Sequence, residues 1–347
     1  MAFGTIIPEK KSTPPLLRHA HLMAFESLLR QRGAPVDRYL HRHGLPVLCD
    51  NPDTYVPLCK VWTFFDNAAR HEGSELGWLV GAHVGDQNLN ADLLRKLETA
   101  PTLFQALRIL IRMVSAEATD IGIGIHERLD DVLLYTHYPG MGRTPGYMIS
   151  QGYQLGVFLG LIRYFLGQHW VPEEIGVESS TVPPKLEEQL PGCRVLTQQP
   201  AGYIAVLRSC LYRAVPLRDT RISRVANPLL SKNSSYTDML RAALKSYLCE
   251  GYPTERFAAE LMGTSVRTLT RNLSPHGLTY GMLIDELRFN EAKEQLQNSN
   301  IQIGDIAHNV GFSDQGDFSR MIRRLCGLTP TELRNVIRSK AEKVTTN

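Results

Sequence analysis

The chain has 347 residues, 43% of them hydrophobic, with 38 Lys or Arg against 35 Asp or Glu and a formal net charge of +3. That length exceeds one compact domain and suits two, while the ordinary apolar content excludes a largely disordered chain. A charge balance this close to neutral excludes nucleic-acid binding through bulk charge, so any such binding must come from local patches.

Residues 1 to about 15 carry Lys10 and Lys11 among prolines but no apolar core of signal-peptide length. The most apolar run, Leu155–Leu166, is interrupted by Arg163 and is too short to span a bilayer. Six cysteines are scattered without a Cys-x-x-Cys pair, as for free thiols in a reducing compartment. A cytoplasmic protein without membrane association is expected.

An α+β domain is expected over 16–213. Helical periodicity runs over Leu22–Gln31 and Leu58–Ala69. Thr102 and Gln105 form a capping pair that opens a helix with Leu103, Leu107, Leu110 and Val114 on one stripe. Alternation at Ile121, Ile123 and Ile125, then at Val132, Leu134 and Thr136, predicts a hairpin turning near Leu129–Asp131. Tyr147–Leu166 is the longest helical pattern, and strand-like pieces follow at Glu174–Glu178, Arg194–Leu196 and Tyr203–Leu207. Residues 214–234, polar and carrying Pro216 and Pro228, read as a linker.

An all-α domain is expected over 235–340, holding one pattern twice. In the first copy, about 254–275, Phe257, Ala258 and Leu261 precede the turn residue Gly263. Ser265 can then cap a helix with Leu269 and Leu273 inward and Arg267, Thr268, Thr270 and Arg271 outward. A connector helix follows over about Leu283–Gln297. In the second copy, about 303–326, Ile303, Ile306, Ala307 and Val310 mark a buried stripe and Gly311 supplies a turn through φ > 0. Ser313 can cap a helix that buries Phe318, Ile322 and Leu325 and leaves Gln315, Asp317, Arg320 and Arg324 outward. Thr329-Pro330-Thr331-Glu332 is a capping box with proline at the first helical position, opening one more helix. A small residue four before a turn glycine, then a capped helix with a polar and basic face, is the pattern of a helix-turn-helix. Its second helix fits the DNA major groove. Two copies in one small domain are far more specific than one.

Charge is distributed to match. Ser313–Lys343 holds seven Lys or Arg against four acids, and Thr264–Tyr280 holds two arginines and no acid, while the connector is acidic. Other constellations favour plain explanations. His41 and His43, two apart, diverge on a helix and lack Cys or acidic partners, so surface histidines are expected rather than a metal pair. Gly122 and Gly124 complete no phosphate-loop motif and read as glycines that let a strand pack closely. Cys326 sits among apolar positions as core, without a nucleophile's partners. Tyr147, Tyr153, Phe158 and Tyr164 read as core aromatics before a ligand pocket. No metal, cofactor or catalytic constellation emerges, so an enzyme is not expected.

From about Thr254 to Arg334 the chain resembles the DNA-binding domain of the AraC/XylS family of bacterial transcription regulators. The resemblance is carried by Ala258–Leu273, Arg288 and Ala292, Gly304–Met321, Gly327–Pro330 and Arg334. The chain departs from the family pattern at Gly316 and Asp317, where an acid is rare, and at Ile322, Leu325 and Cys326, which replace bulky aromatics. A weaker resemblance over most of the first 220 residues is to the arabinose-binding-like effector domain of a branch of that family. It rests on Ala100–Leu103 with Ala106 and Leu107, Trp170 with Pro172, and Leu211 with Val215–Leu217.

The resemblance implies that Arg267, Thr270 and Arg271, with Thr268 on the same helix, enter one groove and Gln315 and Arg320 another. Arg suits guanine and Gln suits adenine. Ser313 and Arg324 would touch phosphate, and Asp317 would either accept from cytosine N4 or repel phosphate. Ala259, Gly263, Ala307 and Gly311 belong to packing and turns. The resemblance further implies an activator that binds promoter or operator DNA, contacts RNA polymerase, and answers a small-molecule effector in its first domain. A homodimer would cover a repeated site. Two alternatives stay open: a first domain that only dimerises or binds a partner protein, and a small-molecule enzyme fused to a DNA-binding module.

Overall fold

The computed structural model describes residues 14–84, 89, 91–138, 144–182, 186–213, 230, 234–298 and 301–345. The chain divides into two compact units, Met1–Leu45 with Val56–Ser234, and Pro46–Tyr55 with Ser235–Asn347. Most of the expected linker lies outside the described residues. Among those described, no helix is long and apolar enough to cross a membrane.

The first unit is α+β. A short strand β1 (Leu16–Arg18) pairs with β2 (Tyr55–Pro57), with α1 (His19–Gln31) and α2 (Val36–Arg42) between them. Then come α3 (Leu58–Glu72), α4 (Leu76–Val84), α5 (Ala91–Glu98) and α6 (Leu103–Met113). Helix α6 opens as expected, with the Thr102 hydroxyl accepting from the Gln105 N–H at 3.3 Å. The expected hairpin forms as β3 (Gly122–Glu127) antiparallel to β4 (Asp131–His137), and α7 (Tyr147–Leu166) has the bounds its pattern predicts. The chain continues through β5 (Glu174–Gly176), α8 (Leu186–Gln189), β6 (Arg194–Leu196), β7 (Gly202–Leu207) and α9 (Arg208–Leu211). The sheet runs in the order β3-β4-β7-β5-β6 and is antiparallel except between β5 and β6.

Helix α7 is apolar on every face because it is the axis of this unit, packed against α3, α4, β4 and β7. Nothing in the periodicity anticipates α2, α4 or α5. His43 corrects a further expectation. It is half-buried, its ring edge-on to Phe64 at 6.4 Å, and burial lowers its pKa.

The second unit is helical: α10 (Tyr236–Lys245), a 3-10 turn at Leu248–Glu250, α11 (Glu255–Leu261), α12 (Val266–Leu273), α13 (Tyr280–Asn298), α14 (Ile303–Asn309), α15 (Gln315–Cys326) and α16 (Pro330–Thr345). The connector α13 begins a turn earlier than its apolar pattern predicts, because the Thr279 hydroxyl accepts from the Met282 N–H at 3.2 Å. Leu296, Ile306, Val310, Phe318, Ile322 and Leu333 are among the residues of one continuous core beneath α13 to α16. Pro46–Tyr55 packs within this unit: Val47 N–H donates to the Glu250 carboxylate and the Ser246 hydroxyl to the Tyr55 carbonyl, the latter at 2.9 Å.

Candidate nucleic-acid interface

Two helix-turn-helix units stand on this core. In the first, Thr254 caps α11 by accepting from Phe257 N–H at 3.1 Å, and Gly263 turns the chain at φ +61°. Ser265 then caps α12 by accepting from Thr268 N–H at 3.2 Å. Leu269 and Leu273 face inward and are fully buried. In the second, Gly311 turns at φ +82° between α14 and α15. The cap of α15 is Asp314, not Ser313. Its carboxylate accepts from Gly316 and Asp317 N–H at 2.7 and 3.0 Å, and an acid at a helix N-terminus also complements the helix dipole. The buried face of α15 is Phe318, Met321 and Ile322, whereas Leu325 is 43% exposed. The final turn overhangs the core, and Cys326 and Leu328 make the contact expected of Leu325.

The outward faces carry the expected polar groups with different freedoms. Arg267 and Arg271 are exposed on α12, and among the described residues neither forms an ion pair. Thr270 is exposed, but its hydroxyl bonds Glu255 Oε1 and the Val266 carbonyl, both at 3.0 Å. Thr268 is half-buried, its hydroxyl 3.1 Å from that of Ser265, so it serves the cap rather than pointing fully outward. On α15, Gln315, Asp317, Arg320 and Arg324 are all exposed, as is Ser313 before it. Arg320 pairs with Asp317, one helical turn earlier, and Arg324 pairs with Asp285 of α13 at 2.5 Å. Without DNA, Asp317 is thus the ion-pair partner of Arg320.

Arg323 was not singled out from the sequence. It is exposed, and with Gln315, Arg320 and Thr331 it lines a cleft of about 240 Å³ beside the start of α16. Its spacing of three from Arg320 was the available signal. Glu332 at that helix start closes the expected capping box: it accepts from Thr329 N–H at 2.7 Å, and its own N–H donates to the Thr329 hydroxyl at 3.3 Å.

Arg288 of α13 ties the two units together. It is 4% exposed and donates Nη2 to the Gly311 carbonyl at 2.8 Å. Its guanidinium lies 4.3 Å from the Phe312 ring centroid and 4.9 Å from that of Tyr252. Burial lowers its pKa, but an arginine stays charged. Salt bridges from Arg241 to Glu286 at 2.8 Å and from Lys245 to Glu291 at 2.9 Å fasten α10 to the same connector.

A family model described as the arabinose-binding domain of AraC transcription regulators matches residues 33–215, more than half of the chain, and a helix-turn-helix domain model matches residues 258–335. The chain belongs to the AraC family of transcription regulators. The family is non-enzymatic, so the fused-enzyme alternative falls away. The HTH-type transcriptional activator RhaS of Enterobacter sp. strain 638 is 33% identical over 106 residues, covering 30% of this chain and 38% of that protein. RhaS of Escherichia coli strain SE11 is 32% identical over 115 residues, covering 30% and 41%. The chain thus spans about two fifths of the length of these curated relatives. Among solved structures, the transcriptional regulator CdpR from Pseudomonas aeruginosa aligns over 87% of this chain and 96% of its own, at 17% identity and a TM-score of 0.38. The C-terminal domain of AraT, a response regulator from Geobacillus stearothermophilus, aligns over 30% and 88%, at 24% identity and a TM-score of 0.28.

Proposed function

We propose that the protein is a sequence-specific transcription activator that binds double-stranded promoter DNA through α12 and α15 under the control of a small-molecule effector. The effector domain is 16–213, the linker 214–234 and the DNA-binding domain 235–340. The observation that carries this reading is the duplicated geometry: each unit presents a side-chain-capped helix after a positive-φ glycine, with exposed arginines on its outer face.

Arg267 and Arg271 are four residues apart on one face of α12, placed for guanine O6 and N7; Gln315 and Arg320 read the second groove. Thr268 and Thr270 support the first helix, with Thr270 free to exchange Glu255 for a base or phosphate. Ser313 and Arg324 take phosphate. Helix α13 has 19 residues and is about 28 Å long at 1.5 Å per residue, a span suited to setting two helices in successive major grooves about 34 Å apart. Activation requires contact with RNA polymerase, and a homodimer would extend the site to a repeat.

Footprinting on genomic fragments under salt titration tests this. Wild type should protect discrete sequences, and Arg271→Ala and Arg320→Ala should each relax preference at different positions of the site. Selectivity lost only in Arg320→Ala would leave α12 as a phosphate clamp. Salt-sensitive binding with no preferred sequence would refute the proposal.

A further inference from the structure

The first unit contains a cavity of about 60 Å³ whose wall is drawn from β1, α1, α3, α6, β3 and α7. Most of that wall is apolar, including Phe65, Leu110, Ile123, Val157 and Phe158. Its polar members are few and unusual in their state.

Glu117 is buried, and its Oε2 accepts from Arg18 Nε at 2.7 Å and lies 2.8 Å from His21 Nε2. His21 Nδ1 is in turn 2.7 Å from the Tyr153 hydroxyl. The His21 ring thus bridges Glu117 and Tyr153 through its two nitrogens. Burial favours the neutral acid, but the His21 hydrogen bond and the Arg18 charge prevail and hold the Glu117 pKa down to about 2. The Glu117 carboxylate is thus committed to Arg18 and His21 and is not free to serve as a ligand's counter-ion.

Tyr138 is the exception to this satisfaction. It is 2% exposed, it lines the same cavity, and among the described residues its hydroxyl forms no hydrogen bond of ordinary geometry. Gln154 faces it, but the Gln154 carbonyl is taken by the Thr136 hydroxyl at 2.6 Å. Burial raises the Tyr138 pKa, so the phenol keeps its proton and can donate. A buried donor without an acceptor is a cost that a ligand oxygen would remove.

We infer that this cavity is the effector site, and that the effector is an uncharged, mainly apolar molecule with one oxygen acceptor, such as a ketone or ester carbonyl, directed at the Tyr138 hydroxyl. This rests on the proposal that the first domain binds an effector. An ammonium or carboxylate ligand would enter a mainly apolar wall where the Glu117 carboxylate and the Arg18 guanidinium already pair with each other. The volume also carries a consequence. An apolar cavity that holds benzene measures about 150 Å³, so a ring-sized ligand enters only as the wall moves outward. A ligand that needs the displaced wall binds one state better than the other, which is the requirement for control by a ligand.

The test uses the full-length protein and a matched panel: cyclohexanone, methylcyclohexane, cyclohexylammonium and cyclohexanecarboxylate, with binding read by ligand-observed NMR and calorimetry. Cyclohexanone should bind best and the two ions not at all. Tyr138→Phe, which keeps the ring, should weaken cyclohexanone about two- to tenfold, the effect of one lost hydrogen bond, and leave methylcyclohexane unchanged. Val157→Phe should fill the cavity and abolish both. Ions binding as well as the ketone, equal ketone affinity in Tyr138→Phe, or no binding by any member would overturn the inference. Footprinting of the ligand-free wild type is read separately. Its failure would sink the regulator proposal, whereas intact footprints with no binding by the panel would sink only the cavity.

Discussion

The two turn glycines offer a controlled comparison, because they occupy equivalent places in the two helix-turn-helix units and differ only in surroundings. Gly263 has φ +61° and Gly311 φ +82°, so an alanine at either must adopt the left-handed region, at a cost of about 1–2 kcal/mol. A Cβ on Gly263 would meet nothing within 4 Å. A Cβ on Gly311 would lie 2.1 Å from the Leu248 carbonyl oxygen and 2.7 Å from that of Gly251, both backbone atoms that cannot rotate away. Overpacking of that kind adds about 1–3 kcal/mol. Gly263→Ala should therefore destabilise the second unit by about 1–2 kcal/mol and Gly311→Ala by roughly 2–5 kcal/mol. All three tryptophans, Trp62, Trp78 and Trp170, lie in the first unit, so their fluorescence cannot report the change and serves as an internal control. Hydrogen exchange of the α12 and α15 amides, resolved by mass spectrometry, reports it directly. Equal losses of protection in the two variants would refute the argument from backbone proximity, and so would a tryptophan signal that shifts with them.

Three further outcomes follow from individual contacts. Asp314→Ala should cost the second unit about 0.5–2 kcal/mol in the same exchange experiment while Ser313→Ala costs less, since Asp314 is the cap; the reverse order would restore Ser313 to that position. Arg324→Ala should lower the slope of log affinity against log salt by about one and weaken all DNA sequences alike, while Arg271→Ala should cost about 1–3 kcal/mol on the preferred site alone. Acid unfolding of the first unit, followed by tryptophan fluorescence, should show the Glu117 contribution. Its folded pKa, about 2, lies below the ordinary 4.5, so the stabilisation is present above about pH 4.5 and is lost as the pH falls toward 2. The amount is on the order of 3 kcal/mol. Glu117→Gln should flatten that acid limb, and an unchanged limb would contradict the assignment.

The second unit was legible in the sequence because its signals are local. Caps, turn glycines and buried stripes lie within a few residues of the helices they define, and α12, α14 and the box at Thr329 form as their residues predict. The cap of α15 moved by one residue because Ser313 and Asp314 are both good caps and only the geometry chooses. The first unit was harder for a physical reason. Helix α4 is uniformly apolar and holds two glycines, Gly77 and Gly81, which count against a helix by propensity. They are there because α7 passes through the space a side chain would fill: a Cβ on Gly77 would sit 1.8 Å from the Ile149 carbonyl oxygen and one on Gly81 2.2 Å from that of Tyr153. Gly152 and Gly156 on α7 answer them with the same spacing of four, a pairing of small residues that lets helix backbones approach. The Arg18–His21–Glu117–Tyr153 network had no such trace, since its members come from segments about a hundred residues apart.

The two outer faces of the DNA-binding unit divide the electrostatic work unequally. Arg267 and Arg271 of α12 are exposed and without an ion pair among the described residues, so their charge acts at a distance and favours encounter with phosphate at low salt. Arg320 and Arg324 of α15 each hold a carboxylate, from Asp317 and Asp285. Exposed pairs of this kind are worth only about 0–1 kcal/mol, so a base or phosphate can displace the carboxylate cheaply. What the pairs contribute is direction: two long side chains are held in a narrow set of rotamers before DNA arrives, which lowers the ordering cost of a specific contact. In the proposed interface α12 therefore presents arginines without an ion pair among the described residues and α15 presents arginines already oriented by carboxylates, and the buried Arg288 binds the α14–α15 turn to the connector.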